Sequence, residues 1–447
     1  MRPVRSTPGL SLVRWQRDYC GAADNVPTVR RVRDRLSVTV LVAALLQPGL
    51  SCANDRQRAD PQDIPVWELS PPVSLIGGDG NTPDYQLYRV AGAFRLSSGA
   101  IVIVNAGTRE LRFYDSAGVH TRTAGGRGSG PGEFNVLAWA ARIAADTILA
   151  WDSALRRASL FSPAGDHVGE FAASHALPAE MRSVRAVGVQ PFPGAFGDGS
   201  MVMRPDLPIA ILTEGPNGMH VDTLPLLRRG RGGSFVLLGE FPDYPRLVHD
   251  SRVMLASIAG PLRCAIGNDR VACVAGVSYE IEVRDMEGRV VQTLRSPREP
   301  QPLTPEWADV YRNGLVSRAG AAARAITETM VQTMKLPAHI PAFDTLMYGA
   351  DRRLWARRYA LDPDLPRCWE VFDSSRSFHG FVRTPAEFHV LDAGADYVLG
   401  IVRDSLDVAQ VRLHRLVQPG QSADRGRNQR AAGRSHAAAG CVDSFVR

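Results

Sequence analysis

The chain is almost without lysine: Lys335 stands alone against 51 arginines. With so much alanine, glycine and proline alongside, that imbalance reads as GC-rich codon usage rather than selection for phosphate contacts. Aromatic residues are sparse as well, at 7%. No apolar run approaches the roughly 20 residues a membrane-crossing helix needs, and a mean hydropathy of −0.12 excludes a polytopic membrane protein. The short motifs of several reaction classes are also missing. There is no GxSxG, no HExxH and no CxxC, and the ten histidines are scattered. The glycine-rich residues 124–134 (AGGRGSGPGEF) lack the Lys-Ser/Thr pair with which a P-loop holds phosphate and Mg²⁺. Asp79-Gly-Asn-Thr-Pro83 begins like a calcium loop but puts proline where a ligand is needed. No catalytic, cofactor-binding or metal-ligating residue is therefore assigned, and no cofactor is expected.

The net charge of +6 invites a nucleic-acid reading until it is located. Residues 1–52 carry +5 and residues 417–447 carry +3, which leaves the body between them at −2. Basicity belongs to the ends, so nucleic acid is not an expected partner.

Residues 36–46 (LSVTVLVAALL) form an uncharged apolar run behind Arg30, Arg31, Arg33 and Arg35, and Pro48-Gly49 breaks it. That order is the layout of a secretory signal peptide, with a short buried helix as the alternative. Residues 1–25 are too long a polar front for such a leader. They are taken as untranslated, with initiation at Val26, Val29 or Val32. Gly49-Leu50-Ser51-Cys52 then resembles a bacterial lipobox, although Gly49 replaces the usual leucine. Cys52 is the expected lipidation site, and the polar residues 53–66 are its flexible tether to a folded body. The alternative is ordinary cleavage that leaves Cys52 a free thiol. Either way the mature chain is expected outside the cytoplasm, in the periplasm or at the outer membrane, touching membrane only through the lipid.

What the chain does contain is repetition. Around the glycine-rich connector lie two copies of one pattern of short strands closed by Gly, Ser, Asn and Asp turns. Ile101-Val-Ile-Val104 matches Ile148-Leu-Ala-Trp151, and Asp115-Ser-Ala-Gly118 matches Ser162-Pro-Ala-Gly165, at an offset of 47 residues. A weaker third unit follows. CAIGNDRVACVAG and YEIEVRDMEGRVVQTL make a fourth, LMYGADRRLWARRYA and CWEVFDSSRSFHGFV a fifth. The sixth, FHVLDAGADYVLGIVRDSLDVAQVRLHRLV, stops after its third strand. Four strands per unit and six units predict an all-β fold, a six-bladed β-propeller of antiparallel blades over residues 67–416. The lone strand Val73-Ser-Leu-Ile76 is expected to complete the last blade and so close the ring. The alternative is an open or two-sheet β fold.

Residues 304–335 break the pattern. Thr304-Pro-Glu-Trp307 is a helix start, and the insertion is expected to be helical, either a lid or partner surface at a rim or a plug in a gap. After Val417 no apolar period remains, so residues 417–447 are expected to be a disordered tail.

The stretches GRGSGPGEF, WDSALRRASLFSPAGDHVGEF, YRVAGAFRL, ELRFYDSAG, YEIEVRD, PAFDTL and GADYVLGIVRD resemble the NHL-type six-bladed propellers. More closely they resemble a group of propeller proteins of the cell envelope in GC-rich soil bacteria. The likeness runs over nearly the whole mature body. It implies fold and export and no particular activity.

If Asn268-Asp269 is a two-residue hairpin turn, Cys264 and Cys273 lie directly opposite each other. They form either a cross-strand disulfide or two buried thiols. Cys20 is absent from the mature chain on this reading, while Cys368 and Cys441 have no evident partner. The expectation is a monomeric, lipid-anchored envelope module that binds an unknown protein or small ligand at the channel mouth or on the insertion. The alternative is a metal-dependent hydrolase or lactonase that uses the channel.

Overall fold

Every position of the strands Ile101–Asn105 and Ile148–Asp152 is buried. An antiparallel sheet with one wet face would alternate instead, so these sheets are covered on both sides. The computed structural model describes residues 64–78, 82–173, 176, 178, 185–362, 364–373, 378–418 and 441, and it shows how. Leader, Cys52 and most of the tether lie outside the described residues.

The strands form six antiparallel blades arranged in a ring. Their innermost strands are Val90–Arg95, Leu137–Arg142, Gly188–Pro191, Arg263–Ile266, Phe343–Tyr348 and His389–Ala393. Each seam between neighbouring blades holds its own apolar cluster. Blades one and two share Val102, Leu111, Phe134 and Ile148. Two and three share Trp151 and Met203, and three and four share Phe196 and Val271. Four and five share Ile281 and Phe372, five and six Trp369 and Val398, six and one Leu399 and Ile103. The core is thus six radial layers rather than one central mass.

The ring closes as expected. Blade six supplies three strands of its own, and Ser74–Gly77 pairs antiparallel with its last strand, Ala409–Val417, as the outermost fourth. Ser74 and Ile76 face inward while Leu75 faces solvent. A second N-terminal strand was not foreseen. Val66–Leu69, whose first residue the sequence placed in the tether, runs parallel to Phe378–Thr384 of blade five and antiparallel to the end of blade six. It joins the two blades into one nine-stranded sheet.

The repeated turns are repeated in their chemistry. Asp115, Asp285 and Asp404 each accept, through Oδ1, the N–H groups two and four residues on. The fourth turn residue takes a left-handed φ: 89° at Gly118 and Gly165, 84° at Gly288 and 61° at Asp407. Buried Asn105 and Asp152, also 47 residues apart, each cap the connector arriving from the preceding segment. Asn105 accepts the Tyr88 N–H and Asp152 the N–H of Asn135. The glycine-rich connector is filled by its own side chains: Glu133 accepts the Gly130 N–H, and Phe134 is buried in the first seam.

Two expectations need correction at the C-terminus. Cys368 and Cys441 do have partners, namely each other. Cys441, assigned to a disordered tail, is buried beside Phe381, Ile64 and Val66, and its carbonyl accepts from Arg358. Both ends of the described chain therefore meet on blade five, a contact between residues hundreds apart that no local pattern announces. Beneath it lies a buried ion network: Glu370 accepts from Arg298, Arg358 and Ser296 and ties blade four to blade five.

The insertion forms the helices Pro305–Arg318 and Arg324–Thr333, and Thr304 accepts the Trp307 N–H as N-cap. Tyr311, Met330 and Met334 pack against Leu247 and Ile258, beside the long hairpin Gly218–Arg229 and Phe235–His249 of blade three.

Ile76 is nearly inaccessible and Leu75 half exposed on the same closing strand. Ile76→Ala should lower the unfolding free energy by about 2–5 kcal/mol, and Leu75→Ala by less than about 0.5 kcal/mol. Denaturant titration of both variants checks it; equal losses would mean that this strand does not seal the ring.

Candidate functional site

Strand direction sorts the connections by face. In an antiparallel blade the first and third turns lie at one end, and the second turn and the link to the next blade at the other. The helical insertion is such a link, so it emerges at the face opposite the first turns. None of its residues lines the cavity described next.

That cavity, of about 570 Å³, lies where the first turns of the blades converge. Arg95 and Ser97 come from blade one, Arg142 and Asp146 from two, Gly197 from three, Asn268 and Arg270 from four, Tyr348 and Arg352 from five, and Tyr397 from six. The turns are bonded to one another around the rim. Ser97 donates from N–H to Asp146 at 2.8 Å, and Arg142 donates to the Arg95 carbonyl. Ala144 N–H donates to Gly197 O at 3.1 Å, and Gly197 N–H to Asn268 O at 2.7 Å. Ala350 N–H reaches Ala393 O at 2.7 Å, and Arg95 N–H reaches Asp392 at 2.9 Å. Five of the six seams are thus hydrogen-bonded at the mouth. At the sixth, between blades four and five, the Tyr348 ring lies against Gly267, where a Cβ would come within 3.1 Å of it.

Buried Asp392 of blade six ties two of the lining residues together. The same Oδ2 accepts the Arg95 N–H and the Tyr397 hydroxyl, the latter at 2.8 Å. Burial raises its pKa, while the nearby Arg142 charge pulls the other way. Burial and the Asp392 carboxylate together push the Tyr397 hydroxyl far up, so it stays protonated and donates. The Arg95 guanidinium stacks over the Tyr397 ring, 4.9 Å from its centre. Burial likewise keeps Tyr348 protonated.

Of the residues singled out from sequence, Cys52 lies outside the described residues. Cys264 and Cys273 face each other in the register of blade four and are joined by a disulfide. The tip of that hairpin, residues 267–270, lines the mouth, so the bridge braces one wall. The arginines of the mouth were missed, although a signal existed: Arg95 and Arg142 are 47 residues apart, equivalent ends of the inner strands in blades one and two. Among the described residues, no three His, Cys, Asp or Glu side chains gather closely enough to hold a metal ion.

No protein-family model matches the chain, and no curated protein matches it. Solved structures do resemble it. A member of the DUF4221 family from Bacteroides vulgatus is 9% identical with a TM-score of 0.44, over 77% of this chain and 96% of its own. Virginiamycin B lyase from Staphylococcus aureus is 10% identical with a TM-score of 0.35, over 78% of this chain and 99% of its own. Regucalcin, a calcium-binding protein from Agrobacterium tumefaciens, is 11% identical with a TM-score of 0.30, over 79% and 96%. Likeness at this level concerns the general course of the chain, and neither ligand nor reaction passes with it.

The raised pKa of Asp392 has a sign that can be measured. Its native carboxyl holds a proton longer than the unfolded one, so the stability linked to it is complete below about pH 4. That stability is lost as pH rises toward the native value and then levels off. Asn in its place keeps an oxygen for both donors and cannot ionise. Stability of the wild type minus that of Asp392→Asn should fall across this window and be flat on either side, as read from denaturant midpoints over pH. A difference independent of pH would show that Arg142 fully offsets the burial.

Proposed function

We propose that the protein is an exported, lipid-anchored propeller that works as a monomer by binding a small polar ligand at the mouth formed by the first turns. The observation that carries this reading is the convergence of turns from all six blades on one cavity whose rim is already bonded together. About 300–1,000 Å³ is the usual size of a small-molecule site, and such sites are largely preformed. A mouth whose turns hold one another in place spends little on ordering when a ligand arrives.

Export is supported by the two disulfides, Cys264–Cys273 and Cys368–Cys441, because such bonds persist in oxidising compartments. Attachment to the membrane rests on the sequence around Cys52 alone. Cys52→Ser should move the protein from the membrane fraction to the soluble extracytoplasmic fraction and abolish incorporation of labelled fatty acid. Retention of both in the variant would remove the lipid anchor from this reading.

Asn268 is exposed at the rim, and no side-chain hydrogen bond ties it down among the described residues. Its side chain lies over Gly197 of blade three, so Asn268→Trp, which should plug the mouth, is first checked for an unchanged cooperative unfolding transition. In a thermal-shift screen of polar small molecules, a true ligand raises the Tm of the wild type and leaves that of Asn268→Trp unchanged. Ligands that shift both proteins equally would put binding elsewhere.

A further inference from the structure

We infer that the ligand of this mouth is a small organic anion, held through a carboxylate or phosphate group by Arg95 and Arg352, with Arg142 beside them. The inference rests on the binding reading above and deepens it. Ion pairing within the cavity carries it. Four guanidiniums line the space, those of Arg95, Arg142, Arg270 and Arg352, together with the carboxylates of Asp146, Asp269 and Asp373. Asp269 lies 3.8 Å from Arg270 and answers it. Asp146 is taken up by the N–H and hydroxyl of Ser97. Asp373 has an interaction partner of its own. Arg142 is set against buried Asp392. Arg95 and Arg352 are left over, with no carboxylate in ion-pair reach among the described residues. Elsewhere on the propeller some arginines are paired with carboxylates, as Arg112 is with Glu110 and Arg284 with Glu282, while others, such as Arg109, Arg229 and Arg412, have their guanidiniums bonded to carbonyl or amide oxygens.

Arg95 is also preorganised. Stacking over Tyr397 and a bond from Arg95 Nε to the Gly99 carbonyl fix the plane of the Arg95 guanidinium. The remaining N–H edge is then free to meet a planar or tetrahedral oxyanion, as arginine does best. Arg352 sits at a left-handed φ of 66° in the first turn of blade five and is exposed. The turn itself requires that φ, since Gly99 and Gly199 hold the same place in blades one and three at 91° and 79°. Tyr348 adds an aromatic wall for the uncharged part of the molecule, whereas Tyr397 serves as the platform under Arg95, its hydroxyl held by Asp392.

The test uses the purified protein with citrate and inorganic phosphate as anionic probes and sucrose as a neutral one, followed by calorimetry at low and high salt. Citrate should bind with Kd of about 1 mM or tighter, and weaken as salt rises. Arg352→Gln should weaken it by about threefold to tenfold and Arg95→Met by about tenfold or more, with partial rescue by Arg95→Lys. Phosphate binding as well as citrate would assign the site to oxyanions at large, and citrate alone to carboxylates. Equal citrate affinity in wild type, Arg352→Gln and Arg95→Met would overturn the inference. So would sucrose bound at the mouth, and lost in Asn268→Trp, when neither anion binds; the channel-binding reading would then survive on its own. If no probe binds and Asn268→Trp alters no ligand in the wider screen, both readings fall together.

Discussion

Everything in this structure depends on covering both faces of each sheet. A short antiparallel blade whose second strand is buried at every position, such as Ile101–Asn105 with its four consecutive apolar residues, cannot stand with either face in water. A row of such blades leaves two faces exposed, one at each end, and bending the row into a ring removes both. The closing strand Ser74–Gly77 does this with chain from the opposite terminus, so the apolar layer between blades six and one forms only when distant parts of the sequence meet. The third turn of blade one presses on it: a Cβ at Gly118 would come within 2.5 Å of Ser74 Oγ. Closure is thus locked by close approach as well as by strand pairing. The strand Val66–Leu69 and the Cys368–Cys441 bridge add a second clasp at blade five.

How much of this was legible follows from the range of the interactions. Strands, turns and the 47-residue register are local, and so were the N-cap at Thr304 and the pairing geometry across Asn268-Asp269. The closing strand was legible for a different reason: a blade one strand short demands one from elsewhere, and Ser74–Gly77 was the strand left over. Val66–Leu69 gave no such signal, because blades five and six are complete without it. Cys441 was invisible for the same reason, since its polar, alanine-rich surroundings have no period and its partner lies 73 residues earlier in blade five. Buried Glu370 and its two arginines were likewise beyond reach, as nothing near Glu370 in sequence shows that Arg298 and Arg358 arrive from either side.

The register held more than was drawn from it. Arg95 and Arg142 occupy one position of the repeat, and so do Asn105 and Asp152. Inside the blade that position means a cap for the incoming connector; at the end of the inner strand it means a place at the channel mouth. Equivalent positions in a ring point at a common axis. A charge repeated in register is therefore focused on one spot, whereas the same charge on outer strands is spread around the rim. Repeat register thus predicts convergence even when no motif does.

The two faces divide the work. The long blade-three hairpin and the helices Pro305–Arg318 and Arg324–Thr333 are built on one face, packed against each other through Tyr311, Met330 and Leu247. Their mutual burial fastens the insertion to blade three. The other face keeps only short turns, too tight to move far, and those turns bond to one another at five seams. A site made this way gives up induced closure and gains a fixed arrangement of guanidiniums and hydroxyls. On the proposed binding reading, selectivity would rest on whether a ligand's charge matches Arg95 and Arg352 without rearrangement, because a rigid mouth cannot adapt to one that does not.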